Sequence, residues 1–320
     1  MNNKLHQEVL KQATKGKFRG HTTLKSKTIP LYPSSAEREF RKISTGYMKV
    51  LKHRLVEHLP KMMEIYKRDR RNDSRFDDFR DIESLIRQEI MKIAVEMEQD
   101  LSSYDVDSLV KKVAQMTKKT SYRAWKRSVR ETLGISLIDD YYSGAFYQSI
   151  LQQWVDDSVL KIKSIPTNTL LSMEEIILAG FKNGLTIRDI SKEIQETYDV
   201  SKHKAQAIAR DQVGTLNAQI TRRQQEDAGC EEYIWSDSDD SRVRDCHRAL
   251  DGQTFRWDNP PEMWYITKKG IIYTGRRCNP GEDYACRCVA IPKFNIETLD
   301  LPFKELEKEA KNLNGNERTH

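Results

Sequence analysis

The chain has 320 residues, of which 38% are apolar and 32% charged, with a formal net charge of +6. That length allows about two or three domains, and the polar balance suits solvent-facing helices with narrow apolar stripes. No run approaches the roughly 18 uninterrupted apolar residues of a membrane span, and the basic N-terminus has no apolar run behind it, so neither a spanning segment nor a secretory signal is expected. The expectation is a protein of a reducing cytoplasm, where cysteines serve as metal ligands or free thiols more than as disulfides.

The positive charge is local. Residues 1–30 carry Lys4, Lys11, Lys15, Lys17, Arg19, Lys25 and Lys27 against Glu8 alone. Between Val110 and Arg130 stand Lys111, Lys112, Lys118, Lys119, Arg123, Lys126, Arg127 and Arg130 with no acid. Two basic stretches on a near-neutral body point to contact with a polyanion, such as double-stranded DNA, or with an acidic partner. The alternative is a solvated helix face and a disordered tail.

In chain order, residues 1–31 show no periodicity and read as a flexible basic arm. Ser34 with Glu37 forms a capping box, and a helical stripe follows through Phe40, Ile43, Tyr47, Leu51, Leu55, Met62 and Tyr66, with Pro60 expected to kink or split it. After a charged connector over 68–80, the stripe Ile82, Leu85, Ile86, Ile90, Ile93, Met97, Leu101 predicts a second helix. A third spans Val106 to Thr132, and a short one Asp139 to Ser158. These predict an elongated antiparallel bundle over 32–163.

Residues 163–168 form a turn-rich boundary. Beyond it the punctuation predicts three helices: Leu170 to Lys182, ended by Asn183-Gly184; one capped by Thr186; and one capped by Ser201, running from Lys202 to Ala228 and stopped by Gly229. Then the pattern changes. Residues 233–235, 271–273 and 289–291 read as strands, and Ala249-Leu250-Asp251-Gly252 as a turn beside a short helix. The fold class is mainly α, with a small α+β module at the C-terminal end. The domain plan is an arm (1–31), a bundle (32–163), a second domain (164–300) holding a Cys/His module at 240–292, and a charged tail (301–320).

Four of the five cysteines lie in that module. A structural zinc needs four soft or borderline ligands. The candidates are His247, Cys278, Cys286 and Cys288, with Cys246 in reserve. Cys286 and Cys288 are only two apart and Cys246 adjoins His247, so the spacing is atypical, and the alternative is cysteines packed as small apolar residues. A closed site would staple a module too small for much core of its own; it would leave no open coordination position and so would not be catalytic, and no catalytic residue is assigned. The acids Asp237, Asp239, Asp240, Asp245 and Asp251 near His247 raise a second reading, a metal-dependent nuclease or DNA-binding protein, although Asp is common in turns for backbone reasons alone.

The run Asp240-Ser241-Arg242-Val243-Arg244 through His247, then Leu250-Asp251-Gly252, Asn279-Pro280-Gly281-Glu282-Asp283 and Cys286-Arg287-Cys288, resembles the minor head protein family of tailed bacteriophages, that of the Mu protein F and related head-morphogenesis proteins. The helix carrying Ala209-Arg210, Asn217-Ala218 and Ala228-Gly229 resembles its core. The resemblance is strongest from about 170 to 292. Some relatives carry Cys-x-x-Cys where this chain has Arg244 and His247, whereas Cys246 and Cys278 are not motif positions. The resemblance implies a non-enzymatic structural protein of the virion head, assembled in the bacterial cytoplasm. It implies association with the portal and other head proteins, roles in procapsid assembly and DNA packaging or retention, and no membrane.

Overall fold

The computed structural model describes residues 3–70, 78–138 and 144–302. In chain order its elements are α1 (Asn3–Phe18), β1 (Thr23–Lys25), α2 (Ser34–Arg70), α3 (Asp78–Ser102), α4 (Val106–Leu133), α5 (Ala145–Lys182), α6 (Ile187–Asp227), β2 (Glu232–Ser236), α7 (Asp245–Leu250), β3 (Thr254–Arg256), β4 (Glu262–Thr267), β5 (Gly270–Arg277) and β6 (Val289–Asn295). The fold is mainly α with a β-rich C-terminal part, as the sequence implies. The chain divides into two compact units that are discontinuous in sequence: one of residues 1–36, 114–152 and 210–320, the other of 37–113 and 153–209. The linear plan of arm, bundle and second domain therefore does not describe the packing.

The second unit is helical. Its core gathers Met48, Leu51, Leu55 and Met62 of α2, Ile86, Ile90 and Ile93 of α3, and Met173, Ile177, Phe181, Ile190 and Ile194 of α5 and α6. Helical spacing puts these residues on facing stripes. Leu85, expected inward, is 47% exposed. Tyr66 stacks on Phe181 with ring centroids 4.6 Å apart. Beside this core, α2 and α3 also meet through polar contacts. Arg54 grips Asp100 with Nε and Nη2 at 2.7 and 2.9 Å. The imidazole of His58 lies between Glu89 (2.8 Å) and Glu96 (2.9 Å), and the buried Glu89 also meets Lys61 and Lys92.

Three expected breaks are absent. The boundary at 163–168 lies inside α5, which continues through Pro166, just as α2 continues through Pro60. A proline removes one ladder bond and crowds the preceding turn, but Ile162, Ile165, Leu170 and Met173 on either side of Pro166 are all buried, and that burial outweighs the local cost. Ser201 caps nothing, because α6 runs unbroken past it with Ile190, Ile194, Tyr198, Ala205, Ala209 and Val213 keeping one buried stripe. The punctuation at 183–184 and 229 holds: Gly184 and Gly229 both take positive φ, and Asp189 N donates to Thr186 Oγ1 at the start of α6. The helix expected from Asp139 is α5, and its first residues, with the connector over 71–77 and the tail beyond 302, lie outside the described residues.

The first unit is built on an antiparallel sheet in the order β1-β6-β2-β3. Residues 1–31 are not an arm here. Leu10 and Phe18 of α1 are buried, β1 pairs with β6 through Thr23↔Asn295 and Leu24↔Phe294, and Thr28 Oγ1 bonds Ser128 Oγ of α4 at 2.8 Å. Trp125 of α4 packs on Phe294 of β6, and Gln225 of α6 donates to the Ala290 carbonyl of β6 at 2.8 Å. The ribbon β4–β5 is a separate two-stranded sheet.

Glu89 generates a pH prediction. Burial opposes its ionisation, but Lys92, Lys61 and His58 more than offset it and hold its pKa down at about 2, below the ordinary 4.5. Its contribution to stability is therefore complete above pH 4.5 and is lost as the pH falls from there towards 2. Denaturant unfolding of Glu89→Ala should show a loss of about 2 kcal/mol at pH 7, the partners Lys61 and Lys92 being exposed enough for partial screening. Glu89→Gln should flatten the dependence over that acid window.

Candidate metal centre

Three segments of the first unit supply the site. The first is α7. Arg244 precedes it in extended conformation (φ −66°, ψ 148°), Asp245 suits the positive end of its dipole, and Cys246, His247 and Leu250 are buried. The second is β2, whose Trp235 meets the imidazole of His247 edge-on with centroids 5.4 Å apart. Together with Tyr233, Trp257, Met263, Cys286, Cys288 and Ala290 these residues form one small core.

The third segment is the loop 278–288, shaped by its own polar groups. Glu282 Oε2 accepts from both the backbone N (2.8 Å) and Nδ2 (3.0 Å) of Asn279. Gly281 takes φ +86°, and a Cβ there would lie 2.9 Å from Ala218 Cβ of α6. Ala285 adopts φ +51°, held by donation of its N–H to Asp211 Oδ1 at 3.0 Å. A Cβ on Gly214 would lie 2.7 Å from the Cys286 carbonyl oxygen, so only glycine at this turn of α6 lets the loop backbone come so close.

At the centre, His247 Nδ1 stands 3.6 Å from Cys286 Sγ and 3.5 Å from Cys288 Sγ, and the three ligand atoms lie within 4.8 Å of one another. Ligands at about 2.3 Å (sulfur) and 2.0 Å (nitrogen) around a tetrahedral zinc are about 3.5 Å apart along each N–S edge. The other ring nitrogen, Nε2, is 3.3 Å from Asp283 Oδ2 but outside hydrogen-bond geometry. Asp283 is itself fixed by Arg244 (3.1 Å), Arg276 (3.0 Å) and the Tyr284 N–H (2.9 Å). A carboxylate on the far nitrogen is the usual orienting partner of a metal-bound histidine.

The electrostatics favour one negative sulfur. A hydrogen bond from Cys288 lowers the Cys286 pKa well below the ordinary thiol value; burial opposes this and His247 reinforces it. The Cys288 thiol is pushed up in turn by sharing that hydrogen bond, and further by burial. Burial works against the imidazolium of His247, yet Asp283 and Cys286 hold its pKa up at about 9. Burial likewise opposes ionisation of Asp283, and His247 with Arg244 brings it down to about 2. These buried soft donors fit a thiophilic divalent metal.

Of the five expected ligands, the structure brings together His247, Cys286 and Cys288. Among the described residues this is the one group of three or more potential ligands. Cys278 stands outside it and is half-buried, its N–H donating to the Pro261 carbonyl. Cys246 is buried in the same core and is also outside the group. The nuclease acids do not converge. Asp251 Oδ1 accepts from Asp237 N, Asp237 Oδ1 from Asp239 N, and Asp240 Oδ1 from Arg242 N; all three carboxylates shape the acidic turn. Asp283, Asp211 and Gly214 carry the site without having been assigned a role from sequence; Asp283 was visible only as part of the motif.

On α4, Lys111, Lys112, Lys119, Arg123, Arg127 and Arg130 are exposed, while Lys118 and Lys126 are half-buried. At about 100° per residue all eight fall on one half of the helix. Trp125 is not part of that face, being 4% exposed. Lys126 Nζ sits 5.4 Å from the Tyr122 ring centroid, and Arg127 pairs with Glu131.

Residues 172–291 match the family model described as Phage Mu protein F like protein. Over 131 residues the chain is 34% identical to an uncharacterized protein of Haemophilus influenzae, a stretch covering 41% of this chain and 26% of that protein. The chain thus spans about a quarter of the length of that curated relative. No solved structure matches.

Proposed function

We propose that this chain, whose residues 172–291 match the family model of phage Mu protein F like proteins, is a structural minor head protein of a tailed bacteriophage. The observation that carries the reading is that the matched segment includes all of α6, α7 and the 278–288 loop, and so the whole His247–Cys286–Cys288 centre. In this reading the protein associates with the portal and other head proteins, acts in procapsid assembly and DNA packaging or retention, and is assembled in the host cytoplasm. Its role is architectural. No helix among the described residues is long and apolar enough to cross a membrane. Purified particles of the encoding phage should contain the chain at a fixed low stoichiometry by quantitative mass spectrometry; particles lacking it would contradict the reading.

His247, Cys286 and Cys288 would supply three of the four ligands of one zinc ion, which would supply a cross-link between α7 and the 278–288 loop. Donors 2–4% exposed support a structural role. Asp283, through His247 Nε2, keeps Nδ1 aimed at the sulfurs. Metal analysis of chain purified under reducing conditions should give one zinc, lost in His247→Ala, Cys286→Ser and Cys288→Ser and kept in Cys246→Ser and Cys278→Ser. Because a proton leaves His247 when the metal binds, zinc retention should fall as the pH is lowered.

The basic half of α4 would meet phosphates without reading sequence. Reversing Lys118, Lys119, Lys126 and Arg127 to Glu should weaken binding to a DNA duplex and reduce the slope of log affinity against log salt by about 3 or more. Unchanged affinity would make the face a solvated surface only.

A further inference from the structure

The β4–β5 ribbon exposes more apolar side chain than its own unit uses. Its register pairs Trp264 with Tyr273, Tyr265 with Ile272, and Ile266 with Ile271. Side chains alternate across a pleated ribbon, so Trp264, Ile266, Ile271 and Tyr273 share one face and Tyr265 and Ile272 the other. Five of these six are 44–62% exposed. Isolated exposed apolar residues are ordinary, but three on one face and two on the other leave this short ribbon apolar on both sides, the kind of surface that marks an interaction site.

The base of the ribbon is fixed. Met263 is buried in the core around the metal centre, Thr274 Oγ1 donates to the Met263 carbonyl, and Gly275 N donates to Glu262 Oε1. Arg277 binds Asn259 and the Pro260 carbonyl, and Arg276 binds Asp283, the carboxylate that faces His247. An isolated two-stranded ribbon is marginal in water, so these anchors are what preorganise it. Between Glu262 and Lys268, and again between Lys269 and Arg276, the sequence carries no charge. The turn carries Lys268 and Lys269, both exposed and without an ion-pair partner among the described residues.

We infer that this ribbon is the element by which the chain docks onto a partner protein, entering an apolar groove whose far end is lined with carboxylates that pair with Lys268 and Lys269. The charge pattern selects this occupant. A ribbon lying in a DNA groove needs cations and hydrogen-bonding side chains along its faces, and these faces carry Ile and Tyr. Insertion into a lipid surface would drive the two turn lysines in first, against their hydration. A protein groove accepts the apolar faces and satisfies the turn.

The inference rests on the head-protein reading for the identity of the partner, a component of the assembled head. The test compares phage particles made with the wild-type chain, with I266S/I271S/Y273S, and with K268E/K269E. The chain content per particle should fall about tenfold for the triple variant and several-fold for the turn variant, with zinc content and Tm of both unchanged. Wild-type incorporation of either variant overturns docking by the ribbon and leaves the head-protein reading standing. The turn variant decides alone if the triple variant fails to fold, since the turn touches no core. Absence of the wild-type chain from particles overturns the head-protein reading and the docking with it. Sedimentation of the purified wild-type chain should show a monomer; a dimer dissolved by the triple variant would make a second copy the occupant and overturn the choice of partner. Loss of binding to a DNA duplex on K268E/K269E alone, with particle content unchanged, would assign the ribbon to DNA instead.

Discussion

The first unit depends on one constraint, the convergence of the His247 imidazole, the sulfurs of Cys286 and Cys288 and the Asp283 carboxylate in a space almost closed to water. Each of these groups is costly to bury alone. Together they compensate one another, because the imidazole stands between the sulfurs and a carboxylate 3.3 Å from Nε2, and the carboxylate has two guanidinium partners. A divalent metal at the sulfurs would replace a shared proton with a bond that ties the short helix α7 to the loop 278–288. The surrounding elements follow from that junction: α7 is only six residues long, too short to stand alone, and β4 and β5 pair only with each other.

The loop reaches the junction because α6 makes room for it. Gly214, Ala218 and Asp211 lie on neighbouring turns of that helix. The first two admit the loop backbone, and the third takes the N–H of Ala285, a residue in the left-handed region that would otherwise be strained. The same helix binds the sheet through Gln225 and Ala290. A helix in contact with both the sheet and the loop sets the distance between β6 and the site, so α6 is the spine of this unit.

Much of this was legible in the sequence. The stripes of α2, α3 and α4 were clear because amphipathic spacing over more than five turns leaves little ambiguity. Gly184 and Gly229 were readable as stops because positive φ selects glycine. Four things were not. Residues 1–31 gave no usable period, because α1 buries few residues and the partner of β1 lies at 293–295, a pairing no local pattern encodes. Pro166 and Ser201 are local signals overruled by burial on either side of them. The ligand set was only partly visible. The Cys-x-Cys spacing was recognisable, but the exclusion of Cys278 from the group depends on where the loop turns at Gly281, and the part played by Asp283 depends on a contact across 36 residues to His247. Of the exposed ribbon only residues 271–273 were readable as a strand; β4 (Glu262–Thr267) was not, nor was the absence of a covering layer.

The central claim is that one zinc is held by one imidazole nitrogen and two sulfurs. Zinc K-edge X-ray absorption on the purified chain measures that coordination sphere directly. The account predicts two sulfur scatterers at about 2.3 Å and one imidazole nitrogen at about 2.0 Å. A sphere of three or four sulfurs, which would require Cys246 or Cys278 to join, or a chain that binds no zinc while remaining folded, would contradict it.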